Sequence, residues 1–470
     1  MIRDQILKFT TEDFLNRPFA EKIKEHCRST GKKIIVLDDD PTGTQTMTEV
    51  AVLTEWTEEI LVEELKKEKH IFYILTNSRS FPEDQAKELA TELGNNISKA
   101  SQKTGIKPVL ISRSDSTLRG HFPAEVEALA KSIHLEKAPV ILNPAFIEGG
   151  RFTLDDVHYV REGEKLIAAA DTPFAKDAAF GFTKSNLKEW VEEKTNQQIK
   201  AEQVYSLSLD DLRNKTTEEL SLYLNNLPDS SVCVINSATY EDIERASLAF
   251  HESEFQGKKL LYRTAASFVA AYAGIISSYL SPDQLKADTG QTGGLVMVGS
   301  YVPKTTSQLE YLLKNSEVEP IELKVDDVLN EKQKVDELIR EISKKINSLL
   351  QQGKDVVVYT SRTLITDKDK KKSLLIGNKI SQELVNLVLG LTVRPAFFIA
   401  KGGITSSDLA VKGLGVKRAI IKGQILAGVP VWKLGAEARF PDLFYTVFPG
   451  NVGDETSLAK AVNLFNSGNK

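Results

Sequence analysis

From residue 33 onward the chain alternates short β-branched apolar runs with longer stretches of helical periodicity, a rhythm that few architectures accept. Parallel strands need crossovers of a dozen or more residues, usually helices, so the pattern predicts βα units around mainly parallel sheets. Candidate strands in the first part are Lys33–Leu37, Ile71–Leu75, Pro108–Ile111, Pro139–Leu142, Val232–Ile235 and Lys259–Tyr262. Helical patterns between or after them cover Glu83–Lys99, Pro123–Ile133, Tyr240–Glu252 and Ala265–Tyr279. The stretch SPDQLKADTGQTGG then breaks the periodicity. A second series follows, with strands at Leu295–Val298, Asp355–Tyr359, Ala396–Ala400 and Ala419–Ile421 and helices at Asp336–Gln351, Ser381–Leu389 and Glu455 to Phe465. The expectation is an α/β protein of two domains with mainly parallel sheets, 1–280 and 294–470, joined by a linker over 281–293, with the active site in the interdomain cleft.

At 470 residues two cores are readily buried. The formal net charge of -5 supplies no global attraction for nucleic acid or an anionic membrane, so any anion site must be local. Only Cys27 and Cys233 occur, and the six histidines are scattered, which suggests neither a disulfide framework nor a protein-held zinc site. The metal-site assignment is left open, and a reduced cytoplasmic setting is expected. The sequence shows neither an export signal nor a membrane span: the most apolar later stretch, Leu384 to Ala400, is interrupted by Arg394 and Pro395.

Ligands of open α/β sheets gather at the carboxyl ends of strands, and five strand ends carry suitable chemistry. Asp38-Asp39-Asp40-Pro41-Thr42-Gly43 sets three carboxylates where a cap needs one, suited to binding hydroxyls, positioning Mg²⁺ or accepting a proton. Asn77-Ser78-Arg79 and Arg113-Ser114-Asp115-Ser116-Thr117-Leu118-Arg119 bring planar, bidentate guanidiniums to successive strand ends, which favours an acidic substrate. Gly149-Gly150-Arg151 reads equally as a turn with a solvated arginine or as a further anion contact. In the second part Lys401-Gly402-Gly403-Ile404-Thr405 reads as a capped turn or as a phosphate cradle, and gains weight from Gly299-Ser300 and Gly450-Asn451-Val452-Gly453. There is no GxxxxGK[ST] loop, and Lys412-Gly413-Leu414-Gly415-Val416-Lys417-Arg418 fails as a dinucleotide fingerprint. These residues support an enzyme that binds an anion, with a nucleotide as one option.

In their order, Asp39-Asp40-Pro41-Thr42-Gly43, Asn77-Ser78-Arg79, Asp115-Ser116-Thr117-Leu118-Arg119-Gly120, Gly299-Ser300, Gly402-Gly403-Ile404-Thr405 and Gly450-Asn451-Val452-Gly453 resemble the four-carbon acid sugar kinase family. That family includes the 3-oxo-tetronate, threonate and erythronate kinases. The resemblance implies an N-terminal sugar-acid domain, a C-terminal ATP domain and phosphorylation of a terminal hydroxyl. Carried over, substrate contacts fall on Asp39, Asp40, Arg79, Arg113, Ser114, Asp115 and Ser116, with Arg119 and Arg151 added from the strand-end reading. The catalytic carboxylate is then Asp39, Asp40 or Asp115. ATP contacts fall on Ser300, Gly402, Gly403, Ile404, Thr405 and Gly450. The chain departs from the family pattern at Asp38, Pro41 and Thr44-Gln45-Thr46, in the loop that should meet the acid. The implied partners are the sugar acid and Mg²⁺·ATP, with neither nucleic acid nor membrane, and with a homodimer as an assembly to test. A non-catalytic sugar-acid or nucleotide sensor remains the rival reading, and an NAD-linked oxidoreductase stands behind it.

Overall fold

The structure, a computed structural model, describes residues 16–286, 292–300, 302–329, 332–362 and 370–468, so residues 287–291 of the expected linker lie outside it. The chain divides into two compact units, 1–46 with 55–277 and 47–54 with 278–470. The second unit therefore includes a segment from early in the sequence, where the sequence reading had a single boundary.

In chain order the strands up to residue 264 are β1 (Ile34–Asp38), β2 (Val50–Leu53), β3 (Ile71–Leu75), β4 (Val109–Arg113), β5 (Val140–Asn143), β6 (Arg151–Leu154), β7 (Val157–Glu162), β8 (Lys165–Ala168), β9 (Tyr205–Leu207), β10 (Val232–Ile235) and β11 (Leu261–Thr264). The sheet of the first unit runs β3-β1-β4-β11-β5-β10-β9, and every one of these pairings is parallel. Helices cover such sheets on both faces, which is why β1, IIVLD, is buried along its whole length. The following strands lie on opposite sides of β1, so its carboxyl end is a topological switch point, the usual place for a ligand. β6, β7 and β8 form a separate antiparallel meander, whose first turn uses Asp155 and Asp156 at positive φ of 51° and 64°. The helix expected over Ala265–Tyr279 runs only from Ala266 to Tyr272, because Gly274 turns left-handed at φ 62°.

The second unit adds β12 (Leu295–Val298), β13 (Glu319–Leu323), β14 (Val356–Thr360), β15 (Phe398–Lys401), β16 (Arg418–Leu426), β17 (Val429–Leu434) and β18 (Phe444–Phe448). Its order is β13-β14-β12-β15-β18-β17-β16-β2, parallel as far as β18 and antiparallel beyond. Here β12 lies at the switch point, between β14 and β15, and Gly299 and Ser300 follow it. Under the sheet the rings of Phe397 and Phe465 stack with centroids 4.5 Å apart.

β2 closes the antiparallel edge of this unit, pairing Val50 to Leu53 with Ile421 to Arg418 of β16, and Thr54 Oγ1 donates to the Val416 carbonyl at 2.5 Å. Leu53 is fully buried. Leu53→Ala is expected to cost about 2–5 kcal/mol, the range for truncating a buried leucine, read as a lower denaturant midpoint of the full chain.

Candidate functional site

At the end of β1 the chain must bury two adjacent carboxylates, Asp38 and Asp39, 0% and 2% exposed. An unpaired buried charge is prohibitively costly, so the neighbouring strand ends supply cations. Asn77 adopts the left-handed conformation at φ 53°, which asparagine tolerates, and the turn Ser78–Ser80 brings Arg79 back over β1. Its guanidinium grips Asp39 as a fork, Nε to Oδ2 at 3.1 Å and Nη2 to Oδ1 at 2.5 Å, and Nη1 reaches Asp40 Oδ2 at 3.4 Å. Arg113, the last residue of β4, donates to Asp38 Oδ1 at 3.0 Å and lies 3.8 Å from Asp39. Ser114 Oγ donates to Asp39 Oδ2. A β-carbon on Gly43 would overlap the Asp38 carboxyl, so the loop passes this closely only because residue 43 has no side chain.

The adjacent carboxyls titrate differently. Burial, with Asp39 and Asp40 beside it, pushes Asp38 up to about 7 against the pull of Arg113. Burial also opposes ionisation of Asp39, but Arg79, with Arg263 and Arg113 behind it, holds that carboxyl below the usual range. Asp115 is partly buried, its side chain 13% exposed, and desolvation opposes its ionisation too, yet Arg79, Arg119 and the Thr117 hydroxyl keep it well below the usual range. Arg119 Nε donates to Asp115 Oδ2 at 2.6 Å. Asp40 is the accessible carboxylate of the row, its side chain 22% exposed. Oδ1 accepts from the Thr42 amide at 2.8 Å and hydroxyl at 2.5 Å, leaving Oδ2 to the distant Arg79 contact.

Arg151 differs from the other arginines here. Among the described residues Arg79, Arg113, Arg119 and Arg263 all have a carboxylate within 4 Å, whereas Arg151 donates Nη1 to its neighbour's carbonyl, Gly149 O, and its buried Nε has no partner. Burial lowers its pKa, with Asp115 acting in the other direction. Ser116 is buried and its carbonyl accepts from His158 Nε2 at 2.8 Å. Two residues of this network escaped the sequence reading. Arg263, the penultimate residue of β11, donates to Ser112 Oγ at 3.1 Å and stands 3.7 Å from Glu125, whose other oxygen accepts from Ser78 Oγ at 2.6 Å. Arg263 directly follows the expected strand end at Tyr262, so the strand-end rule covers it although the sequence reading passed over it; Glu125, on a helix, carries no such signal.

In the second unit the expected loops converge. A β-carbon on Gly299 would overlap Thr405 Oγ1, one on Gly402 would lie 3.0 Å from Ser300 Cβ, and one on Gly450 would lie 3.1 Å from Ser300 Oγ. Thr305 Oγ1 bonds both Ser300 Oγ at 3.2 Å and the Gly450 carbonyl at 3.1 Å. Gly402, at φ 118°, and Gly403 lead into a short helix, Gly403–Asp408, on which Ile404 is 63% exposed and Thr405 is buried. Arg362, just past β14, adds a clamp the sequence reading missed, donating to the Ser300 carbonyl at 2.7 Å. Among the described residues no group of three or more His, Cys, Asp or Glu side chains could hold a metal ion, and no helix is long and apolar enough to cross a membrane.

The Arg79–Asp39 fork should be visible in stability. Because the folded pKa of Asp39 is lowered, its contribution is present above the unfolded value of about 4 and is lost as pH falls through the folded value. Arg79→Met is expected to cost about 3–5 kcal/mol at pH 7, the range for breaking a buried pair, and less at pH 3. Denaturant titrations of both proteins at the two pH values check this.

Known families match both units. A sugar-binding N-terminal domain matches residues 34–272 and a nucleotide-binding C-terminal domain matches residues 295–458. No curated protein sequence is a significant match. Among solved structures the chain is similar to Haemophilus influenzae protein HI1011 of the DUF1537 family, with a TM-score of 0.61 at 18% identity over 92% of this chain and 100% of that one. It is also similar to a Salmonella typhimurium LT2 protein bearing the provisional description of a tRNA synthase, with a TM-score of 0.67 at 16% identity over 91% of this chain and 98% of that one. Identities this low speak to the fold, and it is the paired domain matches that make this chain a member of the four-carbon acid sugar kinase family.

Proposed function

We propose that the protein transfers the γ-phosphoryl group of ATP to a hydroxyl, most simply the terminal one, of a four-carbon sugar acid such as threonate, erythronate or 3-oxo-tetronate. The observation that carries this reading is the presence, on one chain, of a sugar-binding domain with arginines and carboxylates at its switch point and a nucleotide-binding domain with three glycine loops at its own. Phosphoryl transfer asks the protein for positioning and charge stabilisation more than for covalent chemistry, and such sites are suited to both.

Arg151 is the natural partner of the acid's carboxylate, since the other arginines of the site are already engaged by carboxylates. Asp40, the most accessible of the three candidate carboxylates, orients the acceptor hydroxyl and takes its proton as the new P–O bond forms and ADP departs. Asp39 and Asp115 hold the arginines in place around it. On the nucleotide side, Ser300, Gly402 to Thr405 and Gly450 line the phosphates. Mg²⁺ would arrive on the nucleotide, held chiefly by its phosphates and water, and would help to spread the charge of the transferring group. The work is assigned to the cytoplasm, and a homodimer is the assembly to be tested by sedimentation.

The deciding experiment incubates the full chain with Mg²⁺·ATP and a panel of threonate, erythronate and 3-oxo-tetronate stereoisomers and follows ADP. Turnover of one acid well above the ATP background is expected; nucleotide binding with no ADP release across the panel would favour a sensor. With the active acid, Asp40→Asn is expected to lower kcat by about 100-fold or more. Arg151→Met should raise KM for the acid by at least about tenfold, the loss of one charge-assisted contact, with little change in KM for ATP.

A further inference from the structure

Lys401 ends β15, directly before the Gly402-Gly403 loop, and is fully buried. Nζ donates to the Pro449 carbonyl at 2.6 Å and lies 3.5 Å from the Gly450 carbonyl. It also sits 3.9 Å from the centroid of the Phe448 ring. Carbonyl dipoles and a ring face favour an ammonium but leave its charge uncancelled. Among the described residues no carboxylate forms an ion pair with it, and the charge that bears on it, Lys304 on the helix Pro303–Asn315, has the same sign. Three charged groups on neighbouring segments have partners of their own. Asp408 faces Lys412 at 2.8 Å, Asp454 faces Lys460 at 3.4 Å, and Arg362 clamps the Ser300 carbonyl. Tyr445 of β18 donates its hydroxyl to the Ser406 carbonyl at 2.6 Å.

A cation in this position requires an explanation. Lysine is almost never fully buried unless paired, and two carbonyl acceptors could be served by a neutral amine. Yet the Gly450 carbonyl that Nζ approaches also accepts from Thr305, which bonds Ser300, so Lys401 lies beneath the place where the three loops meet.

We propose that Lys401 is the buried countercharge for the phosphates of a nucleotide held on these loops, and that nucleotide binding is coupled to proton uptake by this side chain. The proposal rests on reading the loops as the nucleotide site. Lys401 is a positioning residue: it fixes the third loop through Pro449 and acts on the phosphates through its charge. Burial, with Lys304 adding to it, pushes its pKa down to about 7 in the free protein. A polyanion above it favours the ammonium and raises that value, so the complex holds a proton that the free protein has released. Uptake is then small at pH 6, where the lysine is already charged, and approaches about one proton per nucleotide near pH 8.5, while affinity falls with rising pH by up to about tenfold per unit.

The test is calorimetric titration of the full chain with ADP, and with adenosine as the uncharged control, from pH 7.5 to 9 in buffers of differing ionisation enthalpy. Over this range the nucleotide's own phosphates, with a second pKa near 6, no longer titrate. ADP binding is expected to take up protons and adenosine binding is not. Lys401→Met should keep its adenosine affinity, lose about tenfold or more in ADP affinity at pH 7.5, and show neither uptake nor slope. Lys401→Arg, charged throughout, should bind ADP without a slope. ADP binding by the wild type with no proton uptake would overturn the proposal even if neither variant folds, as would uptake that persists in Lys401→Met. Failure of the wild type to bind either ligand would remove the nucleotide reading itself, and this inference with it.

Discussion

Two adjacent carboxylates buried at the end of one parallel strand set the terms for the first unit. Asp38 and Asp39 cannot be left there alone, and the compensation comes from separate parts of the chain: Arg79 after β3, Arg113 at the end of β4 and Arg263 at the end of β11. Each arginine reaches its place only because its own strand ends in register with β1, as Asp38 opposite both Leu75 and Arg113 shows. Ion pairing and strand order are therefore one constraint. A register slip of one residue would turn these side chains to the other face and leave charges buried without partners.

The second unit meets a similar demand at its switch point with little charge. Gly299, Gly402 and Gly450 are close enough to Thr405 and Ser300 that any side chain there would collide or crowd, and the gaps are bridged by hydroxyls and carbonyls. Such a site offers a ligand backbone and small polar groups at short range, the type of surface on which phosphates are held by geometry. The sugar-binding unit, by contrast, holds its shape through ion pairs, so its specificity depends on which charges those pairs leave over.

Most of this was legible wherever the signal was local. Apolar runs of four or five residues gave β1, β3, β4, β5, β10, β12 and β14 to within a residue or two, because a strand buried on both faces must be apolar throughout. At or just past the ends of four of these strands, and of β15, stand the residues singled out from the sequence, Asp38 to Asp40, Arg79, Arg113, Ser300 and Gly402. What escaped depends on partners distant in sequence. Val50–Leu53 is too short to announce that it pairs with Arg418–Leu426. The meander β6 to β8 rests on two aspartates at positive φ, a turn that such residues adopt without being required to. Arg263 stands alone past the expected strand end at Tyr262, with its partner Glu125 far off in sequence, and the significance of Lys401 lies in a carbonyl 48 residues away.

In both sites the informative quantity is the charge left over once internal pairs are counted. Around β1 the carboxylates Asp38, Asp39, Asp115 and Glu125 each stand within 4 Å of an arginine, and Arg151 is left among the described arginines of the site with a neighbouring carbonyl for company. Beneath the glycine loops Lys401 is left in the same way. Arg151 is partly buried and Lys401 wholly so, and a cation shielded from water without a counter-ion does not serve stability, since an apolar residue of similar shape would serve it better. On the function proposed above, both residues answer to anions supplied from outside, one on the sugar-binding unit and one on the nucleotide-binding unit. A carboxylate and a polyphosphate are the anions that those two domains would be expected to receive.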